Sequence, residues 1–127
     1  MNHVSYDPRN NHDIKHSSLA ILFDTQNSND KVSEGTVKQV DQFFESLNLN
    51  NTPYTKSKEM AIGELLAAVD TDNRYVYKGS KTYPPCTKGV YWNVLSTVYP
   101  IKPAHLAQIK ALMATIPRLK KSNFRKT

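Results

Sequence analysis

Histidine is the residue type in this sequence with the most direct potential for metal chemistry, and the chain contains four. A catalytic zinc site takes three protein ligands and a water molecule in tetrahedral geometry, and imidazole is a common ligand. His12 and His16 are four residues apart, a spacing that aligns two ligands on one face of a helix. The Pro- and Asn-rich residues around them argue against a helix, so we interpret both as surface histidines. His105 lies off the apolar stripe of its predicted helix and is also expected to be exposed.

The thiol of Cys86 is a second group with chemical potential, and it belongs to the single cysteine of the chain. A lone cysteine cannot form an internal disulfide bond. Three interpretations stay open: a buried small hydrophobic residue, a free thiol, or one half of a disulfide bond whose partner lies outside this chain.

Positive charge is a third feature, because 17 Lys and Arg residues against 11 Asp and Glu residues give a net charge of +6. Affinity for nucleic acid depends on how closely such residues cluster. The densest basic segment, residues 118–126, lies at the chain end and has Phe124 as its only aromatic residue. We interpret this segment as a solvated tail and expect no nucleic-acid partner.

Length and composition predict one ordinary globular domain that spans residues 1–127. The chain is 39% hydrophobic, and 127 residues suffice for one core but not comfortably for two. No apolar run is long enough to span a bilayer, so no membrane span is expected. The segment Met1–His16 lacks the charged-then-apolar pattern of a signal peptide, so the chain is either cytosolic or without its leader.

Three segments have the patterns of β-strands. The apolar run 19–23 suits a strand buried on both faces, with a buried helical turn as the alternative. Residues 75–77 predict a strand that enters a turn at 79–80, and the proline pair 84–85 forbids ladder pairing just after it. Residues 90–98 alternate in the manner of a strand. Two sets of residues are expected on its opposite faces: Val90, Trp92 and Val94 on one, and Tyr91, Asn93 and Leu95 on the other.

Helical periodicity marks the segments between and after these strands. Residues 33–47 form the clearest amphipathic pattern, and their phenylalanines are expected in the core. Residues 61–69 predict a short helix or a turn, because Gly63 weakens a helix by about 1 kcal/mol. Pro103 suits the first turn of a helix that Pro117 closes. Two further segments, 1–16 and 48–58, are predicted to be loops.

The stretch from Tyr77 to Val94 carries the most specific motif. It reads Tyr-Lys-Gly-Ser-Lys-Thr-Tyr-Pro-Pro-Cys, and Val-Tyr-Trp follows after three residues. This pattern resembles the α-carbonic anhydrase signature, Tyr-x-Gly-Ser-Leu-Thr-Thr-Pro-Pro-Cys followed by Val-x-Trp. Other segments resemble the same family in the same order along the chain: Leu19-Ala20-Ile21, the helix 33–47, Pro100-Ile101 and Asn123-Phe124-Arg125.

The resemblance implies the fold class α+β, mainly β. The expected architecture is a partial α-carbonic anhydrase fold, a twisted and mostly antiparallel sheet with a few surface helices. It corresponds to the C-terminal half of the family fold, with the N-terminal half absent from residues 1–127.

The resemblance also implies a catalytic zinc site, which this sequence does not complete. In the family, two zinc ligands come from a His-x-His strand that is absent here, and the third falls on Asn2 or His3. The match of Val4, Tyr6 and Asp7 favours Asn2. One ligand cannot hold tetrahedral zinc, so no cofactor is expected for this chain alone. Zinc, and with it carbon dioxide or bicarbonate as substrate, is expected only if another polypeptide or missing sequence completes the site.

The opposite wall of the family's pocket is retained. By resemblance, Thr82 would accept a hydrogen bond from a zinc-bound hydroxide and orient it towards carbon dioxide. Ile21, Val90 and Trp92 would line the apolar substrate pocket, although all three would equally suit an ordinary core.

Two residues depart from the family pattern, and one cysteine matches it. Lys81 replaces an apolar pocket residue, usually Leu, and its ammonium group would repel a zinc cation and occlude the substrate. Tyr83 replaces the second Thr and alters the pocket width. Cys86 matches a position that forms a disulfide bond in secreted members, which hints at the secretory pathway although no signal peptide is present.

The resemblance, which is to a family of lyases, therefore predicts two alternative functions. The first is a noncatalytic carbonic-anhydrase-like domain, a pseudoenzyme that serves as a structural or binding module in an assembly. The alternative is the C-terminal half of an active zinc carbonic anhydrase. Because half of a sheet leaves strand edges and apolar faces open, we expect a protein partner or an oligomer to cover it.

Overall fold

Three strands and three helices make up the part of the chain that the computed structural model describes, residues 16–29, 31–49 and 60–116. Among these residues, no helix has both the length and the apolar character that crossing a membrane requires. The elements in chain order are β1 (His16–Asp24), α1 (Glu34–Ser46), α2 (Ile62–Ala68), β2 (Arg74–Ser80), β3 (Lys88–Pro100) and α3 (Pro103–Thr115).

The strands form one mixed sheet in the order β1-β3-β2. β1 runs parallel to β3, and β2 runs antiparallel to β3. A parallel pair needs a long crossover, and the chain between β1 and β3 provides one that contains α1, α2 and β2. The predicted class, α+β and mainly β, is confirmed, and within the described residues the sheet has one parallel and one antiparallel pair.

β1 is the predicted strand, but its burial differs from the prediction. Leu19 is 43% exposed and Leu22 is 41% exposed, so burial on both faces was wrong. β1 lies at one edge of the described sheet, and the core packs against only one of its faces. Phe23 is on that face, where its ring meets Phe44 of α1 edge-on at 5.1 Å between centroids.

β2 continues further than the sequence predicts. Gly79 pairs with Val90 and Ser80 pairs with Lys88, with an irregularity between the two pairs. The predicted turn at 79–80 is therefore wrong, because the chain leaves the sheet only after Ser80. The proline pair 84–85 lies in the connection to β3 and takes no part in the ladder, as predicted.

The core lies between β3 and the helices. Leu95 and Tyr99 of β3 are buried there, and the Tyr99 hydroxyl accepts a hydrogen bond of 2.6 Å from the Asp70 backbone N–H. The predicted helix at 33–47 is confirmed, and the Ser33 hydroxyl caps it by accepting from the Thr36 N–H. The segment 61–69 adopts the helical alternative. The buried core residues are Val40, Phe44, Leu65, Val69, Leu95, Tyr99 and Ile101.

His105 is buried, which corrects the prediction of an exposed side chain. It is only 7% exposed, and its ring stacks on Phe44 at 5.6 Å between centroids. Its Nε2 lies 3.7 Å from Asp41 Oδ1, and the second Asp41 oxygen lies 2.7 Å from Lys102 Nζ. α3 thus packs against α1 through His105 as well as through its apolar residues, because a flat imidazole can cover an aromatic ring.

We predict that Leu95→Ala destabilises the chain by about 2–5 kcal/mol, because the side chain is fully buried and its removal leaves a cavity. Leu22→Ala is the matched control, since its side chain is already partly exposed on the neighbouring strand. Denaturant unfolding of both variants measures the difference. Equal losses of unfolding free energy for the two variants would contradict the described core.

Acid should weaken the turn that leads into β2. The Asn73 side chain and the backbone N–H groups of Asp72 and Asn73 donate to Asp70 and lower the pKa of its carboxyl below 3.8. A lowered pKa stabilises the fold above the unfolded-state value, and this contribution is lost as the pH falls through the folded-state value. Asn73→Ala should therefore destabilise the chain at neutral pH and have a smaller effect below pH 3.8.

Urea unfolding at neutral and acidic pH tests this expectation. Thr71→Ala, a change at an exposed neighbour in the same turn, should show no such pH dependence. An Asn73→Ala effect of the same size at both pH values would mean that the Asp70 charge is not involved.

Candidate functional site

The Trp92 indole anchors the candidate site at the centre of the sheet. Tyr77 pairs with Trp92 across β2 and β3, and their rings stack at 6.3 Å with 12° between the planes. The indole Nε1–H donates a hydrogen bond of 3.1 Å to the Ser80 carbonyl. A Cβ on Gly79 would lie 2.9 Å from Trp92 Cδ1, which is too close for any side chain. The tyrosine, glycine, serine and tryptophan of the sequence motif are thus in mutual contact.

The connection that follows β2 turns back across the sheet. The Lys81 N–H donates to the Thr87 carbonyl at 2.9 Å, and the Cys86 N–H donates to the Tyr83 carbonyl at 2.8 Å. The Lys81 ammonium lies 5.7 Å from the centroid of the Tyr83 ring. These contacts hold residues 81–83 beside the end of β3.

Cys86 is exposed, so the interpretation as a buried hydrophobic residue was wrong. Its backbone has a φ of 54°, in the left-handed region, where the tight connection places it. Its thiol is free among the residues that the structure describes. A disulfide bond to a cysteine of another chain stays a prediction.

A pocket of about 360 Å³ lies where this connection meets β1 and β3. It brings together every predicted pocket residue except Ile21. Ile21 packs instead against the buried core, on the same side of β1 as Phe23. The lining residues are His16, Ser17, Ser18, Lys81, Thr82, Tyr83, Val90 and Trp92.

Three lining residues, His16, Ser17 and Ser18, were missed from the sequence. His16 is exposed, as predicted for a surface histidine, yet it stands at the edge of the pocket. The parallel register sets His16 opposite Val90 and Ser18 opposite Trp92. The sequence prediction started this strand at Leu19. A strand that began at His16 would have placed His16 and Ser18 on one face, because alternate residues of a strand share a face.

The described donor atoms at the pocket do not by themselves make up a tetrahedral zinc site. Within residues 16–29, 31–49 and 60–116, no group of three His, Cys, Asp or Glu side chains could hold a metal. His16 is the one imidazole in the pocket lining, and His105 lies in the core. Asn2, His3 and His12 lie outside the described residues, so the prediction of the third ligand position stays a prediction.

The sequence profile of the eukaryotic-type carbonic anhydrases matches residues 2–127, nearly the whole chain. This chain belongs to the eukaryotic-type carbonic anhydrase family. A crystal structure of dioscorin complexed with ascorbate is similar to it, with 26% sequence identity and a TM-score of 0.43. That match covers 74% of this chain and 36% of the dioscorin chain, so the chain spans about a third of that protein. No curated protein matches this sequence.

The described residues that line the pocket of this carbonic-anhydrase-like chain carry one permanent positive charge. Lys81 is the one lining residue with a permanent charge, and no Asp or Glu is among the described residues that line the pocket. Val90 is buried at the pocket, whereas Thr82 and Tyr83 are exposed at its opening. The lining therefore combines polar and cationic side chains with the apolar side chains of Val90 and Trp92.

We predict that Gly79→Ala destabilises this carbonic-anhydrase-like domain by about 1–3 kcal/mol, because the added Cβ collides with the Trp92 and Tyr77 rings. The indole N–H resonance should shift as the ring is displaced. Gly63→Ala is the matched control, because a Cβ there meets no atom within 4 Å and alanine favours the α2 helix.

The two glycine variants should therefore differ in the sign of their effect. Denaturant unfolding gives the change in free energy, and the single tryptophan reports on the motif. A Gly79→Ala variant with unchanged stability and an unshifted indole resonance would contradict the described packing.

Proposed function

We propose that this polypeptide by itself is a noncatalytic carbonic-anhydrase-like domain that serves as a binding or structural module in an assembly. The observation that carries the proposal is the presence of Lys81 in the same pocket as Thr82 and Trp92. An ammonium group in this pocket opposes a second cation, because like charges repel and the low-polarity base screens them weakly.

The donor set at the pocket supports the same proposal. A catalytic zinc needs three protein ligands, and the described lining offers the single imidazole of His16. The hydroxyl groups of the lining serines and Thr82 are weak substitutes for imidazole or thiolate. No step through a bound metal follows from these residues.

The described sheet supports a role in an assembly. β1 and β2 are its two edges, and edge strands offer unpaired backbone groups to a further strand. On β2, Tyr75 is 70% exposed, and the neighbouring Val76 and Tyr77 are also exposed. A protein partner or another copy of the chain that covers these side chains would remove apolar surface from water.

One observation favours the alternative, the C-terminal half of an active carbonic anhydrase. Thr82, Val90 and Trp92 line one pocket, as the family pattern requires of the wall opposite the metal. If another polypeptide supplied the zinc ligands, the zinc would provide the hydroxide. This chain would then contribute the orienting hydroxyl of Thr82 and the apolar wall.

Metal analysis and carbon dioxide hydration test the proposal. The chain, incubated with zinc and then dialysed, should hold far less than one zinc ion per polypeptide. It should hydrate carbon dioxide no faster than buffer does. One zinc ion per chain together with hydration that a chelator abolishes would overturn the noncatalytic proposal.

Mixing the chain with a companion polypeptide that carries a His-x-His strand distinguishes between the two functions. If the alternative holds, the mixture should gain zinc and hydration activity, and Thr82→Ala should lower that activity by about tenfold or more. Thr25→Ala, an exposed threonine in the segment after β1, is the matched control and should have no effect. A mixture that remains inactive favours the noncatalytic module.

A further inference from the structure

We propose that the pocket beside Trp92 binds a small planar carboxylate directly, through Lys81 and without a metal. The proposal rests on the proposed function as a noncatalytic binding module and names the ligand class of that module. It follows from the mismatch between the pocket and zinc, because the side chain that opposes a metal cation is the one that attracts an anion.

The charge at the pocket is available to a ligand. Within the described residues Lys81 forms no ion pair, and its ammonium contacts the Tyr83 ring at 5.7 Å from the centroid. A ring face accepts a cation without occupying its N–H donors in hydrogen bonds. The ammonium can therefore donate charge-assisted hydrogen bonds to a carboxylate, which are stronger than those between neutral groups.

Within the described part of the chain, some hydrogen-bond donors of the pocket lining are already bound to other protein groups, whereas the Thr82 hydroxyl is not. Ser17 Oγ donates to the Tyr91 carbonyl at 3.4 Å and accepts from Asn93, and the Trp92 N–H is bound to Ser80. Among the described residues, no hydrogen-bond partner is within reach of the Thr82 hydroxyl. Thr82 follows Lys81 in the chain and lines the same pocket, so its hydroxyl is a second donor available to a carboxylate bound there.

The size and the lining of the pocket favour a carboxylate that is attached to a planar ring. A volume of about 360 Å³ lies at the lower end of the range for ligand pockets, which suits a ligand of one ring. Two aromatic residues, Trp92 and Tyr83, line the space together with the buried Val90. Aromatic rings stack well on planar groups. Benzoate has this combination of one charge and one ring, and is the probe that we choose.

Trp92 provides a direct readout, because it is the single tryptophan of the chain and it lines the pocket. Benzoate is titrated in the presence of a chelator, and the indole N–H resonance is followed together with tryptophan fluorescence. Saturable binding in the millimolar range is expected. Benzamide, the neutral analogue of the same shape, should bind about tenfold more weakly or not at all, since the charge-assisted bond is lost.

Lysine variants test the role of Lys81 against a matched control. Lys81→Leu should weaken benzoate binding by about tenfold or more, and Lys81→Arg should restore most of it. Lys78→Leu removes the same charge from a residue that does not line the pocket and that lies on the face of β2 opposite Tyr77, because successive residues of a strand alternate. It should leave binding unchanged. An unchanged indole spectrum of the free variants verifies that the pocket has kept its shape.

Several results would overturn the carboxylate site: no saturable shift, equal binding of benzamide, or equal effects of Lys78→Leu and Lys81→Leu. Benzoate binding that appears only when the chelator is left out would mean that a metal holds the anion. The zinc and hydration measurements separate the two proposals. If the chain lacks zinc and also fails to bind benzoate, only the carboxylate site fails, whereas one functional zinc per chain removes the noncatalytic function itself.

Discussion

The contact between the Trp92 indole and the backbone of Gly79 is the constraint on which the pocket depends. The ring lies so close to Gly79 that only a residue without a side chain fits, and Tyr77, its partner in the β2–β3 ladder, stacks on it. The hydrogen bond from the indole to the Ser80 carbonyl sets the ring orientation at the point where β2 ends. The direction in which residues 81–83 leave the sheet therefore follows from this packing, and so does the pocket wall that they form.

A single side chain alters the chemistry that this wall supports. The described packing would hold either an apolar residue or a lysine at position 81, because the side chain projects beside Tyr83 at the pocket opening rather than into the core. An apolar residue there would leave the site neutral, whereas the ammonium of Lys81 makes it attractive to anions and unfavourable for a metal cation.

The sheet itself is open within the described residues. Only β3 has neighbours on both sides, and its Leu95 and Tyr99 form the centre of the core together with α1 and α2. β1 and β2 have one paired edge each, and both carry exposed large hydrophobic side chains. Because exposed apolar surface is costly in water and open strand edges can pair with a further strand, this arrangement supports the proposal of a module that functions in contact with other protein.

The sequence by itself determined the family, the fold class and most of the pocket. The motif around Gly79 and Trp92 combines a close approach, a stacked pair and a proline-containing turn, and such local requirements are visible in residue types. Only the tertiary structure decided the burial of His105, the position of His16 at the pocket and the turn of Ile21 towards the core. These depend on strand register and on which helix face meets an aromatic ring. Both are set by contacts between residues far apart in the chain, which local periodicity cannot encode.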